Sequence, residues 1–125
     1  MAHADFDALL LDPTRLSIVS LLAGVKWAEF SWVRESADMS ASALSKQITT
    51  LGTRGYVEVQ KGYVGKRPRT WLSLSDSGRL ALEMHVEALQ QIVVESRRAA
   101  QTHVAPPDDG RTNQPPTGDH RVYPG

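Results

Sequence analysis

Between Leu44 and Leu74 the spacing of apolar side chains changes from that of a helix to that of a strand, and the change falls at a glycine. Leu44, Ile48 and Leu51 recur at i, i+4 and i+7, which is one face of a helix. Past Gly55, Val57 and Val59 alternate with Glu58 and Gln60, and further on Leu72 and Leu74 alternate with Trp71 and Ser73. Neither secondary structure presents the other's pattern on one face, so the segment is read as a helix followed by a β-hairpin. Gly55 fits the join, because a helix commonly ends on a left-handed residue that only glycine adopts without strain.

The flanking sequence supplies more helices. Asp12-Pro13 places an acceptor side chain at an N-cap and proline in the first turn, where its missing N–H is no loss. Leu16, Ile18, Val19 and Leu22 continue at helical spacing and Gly24 closes that helix; before it, Phe6, Leu9 and Leu10 fit a short amphipathic turn. From Trp27 to about Ser36, Phe30, Val33 and Ala37 share one side, which predicts a second helix with Glu29, Arg34 and Glu35 facing solvent. A turn at Asp38-Met39 then leads to Ser40 as the cap of the third helix. The hairpin connection runs from Lys61 to Pro68, and Ser75-Asp76 caps a long final helix ending near Arg97-Arg98. The expected fold is mainly α with a small β-hairpin: a winged helix-turn-helix with a long C-terminal dimerisation helix.

Dimerisation is expected because that last helix is apolar on more than one side. Leu82, Val86, Leu89 and Val93 form one stripe, and Leu80, Met84, Ala88 and Ile92 run beside it, more than one small domain covers. Residues 1–100 are therefore read as one domain and 101–125, rich in proline and glycine, as a disordered tail.

Several function classes are excluded at this level. With no cysteine among 125 residues, disulfides, thiolate nucleophiles and cysteine-ligated metals are ruled out. His3, His85, His103 and His120 are scattered, without the spacing of metal ligands, and are read as surface residues. There is no nucleophile–base motif and no phosphate-binding glycine loop, so neither an enzyme nor a cofactor is expected. No apolar run approaches the roughly 20 residues that cross a bilayer, and Met1 to Asp5 do not look like a secretory signal, so no membrane partner and a cytoplasmic location are expected.

The formal net charge is zero, yet the charge is unevenly placed. Between Ser40 and Leu74 stand Lys46, Arg54, Lys61, Lys66, Arg67 and Arg69 against the single acid Glu58. Opposite the buried stripe of the third helix, Ser42, Lys46, Thr49 and Thr53 share a face, flanked by Ser45, Gln47 and Thr50, with no carboxylate among them. Lysine reaches guanine acceptors, glutamine pairs with adenine, and threonine offers a methyl to thymine. The sequence therefore points to double-stranded DNA as partner, read by Ser40, Ser42, Ala43, Ser45, Lys46, Gln47, Thr49 and Thr50, with Lys66, Arg67 and Arg69 as a cationic finger and Arg54 as a weaker backbone contact. The alternative is a winged-helix module that binds protein and keeps its wing basic for solubility.

Leu44-Ser45-Lys46-Gln47-Ile48, Gly55-Tyr56-Val57-Glu58-Val59, Gly65-Lys66-Arg67-Pro68-Arg69-Thr70 and Leu74-Ser75-Asp76-Ser77-Gly78-Arg79 together resemble the small winged-helix transcriptional regulators related to the MarR and ArsR families. The resemblance runs from about Leu11 to Leu89. It implies a homodimeric regulator, most often a repressor, on a pseudo-palindromic operator, with Ser42 to Thr50 in the major groove and Lys66 to Arg69 on the backbone. Metal induction does not carry over, since the cysteine ligands of metal-sensing ArsR proteins are absent. Trp27, Trp32 and Trp71 leave a small-molecule effector open, although three tryptophans in so small a domain are read here as core or interface anchors.

Overall fold

The computed structural model describes residues 6–107. After a short 3₁₀ turn at Leu9–Leu11, the chain forms α1 (Pro13–Ala23), β1 (Ala28–Glu29), α2 (Phe30–Ser36), α3 (Ala41–Thr53), β2 (Val57–Val64), β3 (Arg67–Leu74) and α4 (Asp76–Gln101). The strands make one antiparallel sheet in the order β1-β3-β2. This is a winged helix with a long C-terminal helix. The core lies where α1 to α3 meet the sheet: Leu10, Ile18, Val19, Leu22, Val33, Leu44, Leu51 and Leu72 are completely buried, with Ile48, Val57 and Leu74 beside them. The i, i+4, i+7 stripe of α3 faces inward as its spacing requires.

Local chemistry sets the element ends. Ser40 caps α3 by accepting from the Ala43 N–H at 3.1 Å, and Ser75 caps α4 by accepting from the Gly78 N–H at 3.0 Å. At the end of α3, Gly55 (φ 83°) donates to the Gly52 carbonyl and Tyr56 to that of Leu51, the paired bonds of a left-handed helix end. The same arrangement ends α2 with Asp38 (φ 55°) in the left-handed position, donating to Glu35 while Met39 donates to Arg34.

Four expectations are corrected. The second helix does not begin at Trp27: Ala28 and Glu29 pair with Leu72 and Trp71, so a third strand precedes a helix that starts at Phe30. Ala28, small and buried, sits on the core face of that strand, a role that helical spacing hides. The hairpin connection is not an eight-residue loop, because pairing continues to Val64↔Arg67 and leaves only Gly65-Lys66 as the turn. Gly65 has φ 65°, suiting the first position of a two-residue hairpin turn whose twist matches the strands. Asp12 is the N-cap of α1 but makes no side-chain cap bond; its carboxylate pairs with Arg15 at 3.4 Å instead. The tryptophans, read as core or interface anchors, do not lie in the core: Trp27 and Trp32 are exposed and Trp71 is half-buried on the outer face of the sheet. The tail expected from residue 101 falls mostly outside the described residues; α4 runs through Gln101, and 102–107 are exposed without helix or strand.

His85 is a fifth correction. It is 1% exposed rather than a surface residue. Its Nδ1 accepts the backbone N–H of Asp7 at 3.1 Å, and the Phe6 ring tilts against it. The carboxylate of Asp7 in turn accepts from the Tyr56 hydroxyl. The N-terminal segment is thereby tied both to α4 and to the joint between α3 and β2. His85 lies seven residues past Gly78 and between Leu82 and Leu89, so helical spacing alone places it on the inward stripe.

Gly78 shows close packing overriding propensity. Glycine inside a helix is disfavoured by about 1 kcal/mol relative to alanine. A Cβ here, however, would collide with the Tyr56 backbone carbonyl and come within 2.7 Å of Leu74 Cδ1. Gly78→Ala is therefore expected to lower stability by about 1–3 kcal/mol, where propensity alone predicts a gain. Urea unfolding checks the sign, and a more stable variant would refute the packing argument.

A pH dependence follows from the Tyr56–Asp7 bond. Burial, then the hydrogen bond and the charge of Asp7, hold the Tyr56 phenol above its ordinary value, while Arg54 opposes them. A folded pKa raised above the unfolded one means that the contribution is complete below about pH 10 and lost as pH rises through the raised value. The urea midpoint should thus drop at the alkaline end of a series from about pH 8 to 11, and Tyr56→Phe should shrink that drop. Equal drops in both proteins would show that Tyr56 is not its source.

Candidate nucleic-acid interface

The outward face of α3 is short, polar and free of acids. Ser42, Ala43, Ser45, Lys46 and Thr49 are exposed, and Gln47 and Thr50 are half-buried. The hydroxyls of Thr49, Thr50 and Thr53 donate to the carbonyls four residues back, Ser45, Lys46 and Thr49, at 3.0, 3.2 and 2.9 Å. Their protons are engaged, so these side chains present oxygen lone pairs and methyl groups outward. Lys46 has no acidic partner among the described residues. Ser40, expected at the interface, is taken up with capping, and its Oγ lies 3.4 Å from that of Ser42.

The wing is a ribbon rather than a loop. Paired residues of antiparallel strands share a face, so Arg67 (opposite Val64) and Arg69 (opposite Gly62) lie on the same outer face as Trp71 and Glu29. There Arg69 Nε meets Glu29 Oε1 at 2.5 Å, and both side chains are about two-thirds buried. One member of the cationic finger read from the sequence is thus ion-paired: Arg69 ties the wing to β1. Lys66 and Arg67 remain exposed at the turn without an acidic partner among the described residues. Tyr63, 75% exposed, and Val64 flank them, and the sequence reading gave neither a role. Their signal is an apolar pair next to a Gly-Lys turn, where nothing in the domain covers them.

Arg54 does not join these groups. At the end of α3 its guanidinium stacks over the Tyr56 ring, 5.3 Å from the centroid, and lines an open cleft of about 380 Å³ with Phe6, Asp7, Ala81 and Met84. Gln47 is also engaged, through Arg15, to which the sequence reading gave no role at the interface. Arg15 Nη1 donates to Gln47 Oε1 at 3.1 Å while its Nε donates to the Leu9 carbonyl at 2.8 Å. The sequence sign was present in Asp12-Pro13-Thr14-Arg15, but nothing local says that the guanidinium reaches α3.

The expected dimer surface divides. Leu82 is half-buried and packs against the core of its own domain. Val86, Leu89 and Val93 are 39%, 39% and 47% exposed and form an uncovered apolar stripe along α4, with Met84 and Val94 exposed as well. Among the described residues no helix is long and apolar enough to cross a membrane, and no group of three or more His, Asp or Glu is placed to hold a metal ion.

Comparison with known proteins agrees with this architecture. A relative from Methanocaldococcus jannaschii, itself uncharacterised, is 26% identical over 78 residues, which are 62% of this chain and 85% of that protein. Among solved structures, a transcriptional regulator homologue from Pyrococcus horikoshii OT3 superposes with a TM-score of 0.65 at 26% identity, over 70% of this chain and 86% of that one. Bordetella bronchiseptica BpsR, whose DNA binding is regulated by 6-hydroxynicotinic acid, shares the fold at 15% identity, with a TM-score of 0.55 over 85% of this chain and 73% of its own. The sequence pattern of the winged helix DNA-binding domain matches residues 14–93, from the first turn of α1 well into α4. The chain belongs to the winged helix DNA-binding domain family.

Proposed function

We propose that the protein is a sequence-specific regulator of transcription, acting as a homodimer on double-stranded DNA and most simply as a repressor. The observation that carries the reading is the acid-free, exposed face of α3 with Lys46 at its centre, in a chain that belongs to a DNA-binding family. Ser42, Ala43, Ser45, Lys46, Gln47, Thr49 and Thr50 are assigned to the major groove, with Ser40 at the backbone end of that helix. Lys66 and Arg67, at the tip of a stiff two-stranded ribbon, are assigned to phosphates or the minor groove. Arg69 supports that ribbon through Glu29 rather than touching DNA, and Arg54 is at most a peripheral contact.

The dimer assignment rests on Val86, Leu89 and Val93. A side chain of this kind gains about 1.5–3 kcal/mol when taken fully out of water, and three in a row at helical spacing match a helix–helix seam. Two copies joined there would present two reading helices to paired half-sites. Some fold neighbours were solved with small molecules, 4-hydroxyphenylacetate in one case, and an effector of that size in the cleft beside Tyr56 is compatible with this scheme.

Two measurements test the reading. Duplex binding should weaken steeply with salt, and Lys66→Ala with Arg67→Ala should lower affinity for every sequence while making the log–log salt slope shallower by about two. Binding that ignores both changes would favour a protein-binding module. In sedimentation the wild type should be dimeric and Val86→Glu with Val93→Glu monomeric, with operator affinity reduced at least tenfold because each half-site must then be bound alone. A monomeric wild type would refute the dimer.

A further inference from the structure

The side chain that sequence reasoning assigns to adenine is not free to turn its amide either way. A glutamine recognises adenine by using both ends of its amide, the oxygen accepting from N6 and the nitrogen donating to N7. In this protein the oxygen of Gln47 accepts from Arg15 Nη1, which leaves it one further lone pair but turns that end of the amide toward α1. The assignment of the two amide ends is unambiguous, because a guanidinium carries only donors and never loses its proton, so only oxygen can face it.

Arg15 is itself held. Its Nε donates to the Leu9 carbonyl, its Nη1 lies 3.4 Å from Asp12 Oδ2, and its side chain is about four-fifths buried. The guanidinium is therefore a fixed post between the start of α1 and the middle of α3. The Gln47 NH2, by contrast, has no acceptor among the described residues, and Gln47 lies one helical turn from Ala43 and next to Thr50 along the edge of the proposed reading face. A cation on the amide oxygen also polarises the group and strengthens its N–H donors.

From this geometry we infer that Arg15 orients the Gln47 amide with its oxygen toward α1 and its NH2 as the end offered to DNA, making Arg15 a positioning residue for sequence specificity although it lies on α1. The inference rests on the DNA-binding reading above. Two N–H donors on one nitrogen match the two adjacent acceptors, O6 and N7, that guanine presents in the major groove. Adenine offers N7 beside an amino group, and pairing with both needs the amide oxygen that Arg15 holds toward α1. Position 47 therefore selects guanine and disfavours adenine.

The test is selection from a randomised duplex library at low salt, followed by affinity measurements on duplexes differing at one base pair, for the wild type, Arg15→Lys, Arg15→Met and Gln47→Glu. The wild type should show guanine at one position of each half-site. Arg15→Lys, which still donates to the amide oxygen, should keep that preference. Arg15→Met frees the oxygen and should admit adenine, cutting the guanine-over-adenine ratio about tenfold. Gln47→Glu should move the same position toward cytosine, since a carboxylate only accepts; it retains the pairing with Arg15 and carries the test if Arg15→Met fails to fold. Adenine preferred by the wild type at the Gln47-dependent position would overturn the inference. So would an Arg15→Met protein that loses affinity equally on all duplexes with its base ranking intact. A wild type that binds no duplex at all would overturn the regulator reading itself, and this inference with it.

Discussion

The joint at Gly55 and Tyr56 holds the rest of the molecule in register. Tyr56 donates its backbone N–H to Leu51, closing α3, and its carbonyl accepts from the Ser75 N–H, setting where β3 gives way to α4. The hydroxyls of Ser75 and Ser77 both donate to the Gly55 carbonyl. The first turn of α4 then lies so close to Tyr56 that only glycine fits at position 78. Through its own hydroxyl Tyr56 also reaches Asp7, and through Asp7 the buried His85. Segments distant in sequence are thus fixed at two consecutive residues, through their backbone groups and, toward Asp7, through the Tyr56 hydroxyl, and each backbone group would be costly to leave unpaired.

Much of this was legible in the sequence because it depends on local rules. The inward stripe of α3, the caps at Ser40 and Ser75 and the left-handed end at Gly55 are each set by residues within a few positions of one another. What was not legible depends on partners far along the chain. Ala28-Glu29 is a strand only because β3 offers an edge to it, and Arg69 is bound at the base of the wing only because that strand carries Glu29 to it. His85 carries the right spacing for the core, but its acceptor role needs the backbone of Asp7, 78 residues away. The extent of the hairpin was misjudged because the residues from Lys61 to Pro68 lack apolar alternation; they pair through the backbone, with no core beneath them to impose a pattern.

The candidate interface shows the same division. Residue types on the α3 surface follow from a 100° rotation and could be listed in advance, whereas which hydrogen-bonding atoms stay available could not. The threonines direct their protons into their own helix, and Gln47 turns its oxygen to α1. Charge behaves alike: an even overall balance hides that Lys46, Lys66 and Arg67 have no acidic partner among the described residues while Arg15 and Arg69 are tied to carboxylates. Availability of atoms, more than identity of residues, is what the tertiary structure adds.

Only Ser75 stands between the last residue of β3 and the first of α4, and its amide and hydroxyl are both tied down. There is no slack in that link. Ribbon and long helix thus meet at one pinned residue, and the angle between them is set there. Eight strand residues extend about 26 Å, so a difference of about 10° in that angle corresponds to some 4–5 Å at the far end of the ribbon, roughly the separation of neighbouring strands. In any assembly built through α4, the distance between the two ribbon tips is then governed by the crossing angle of the paired helices.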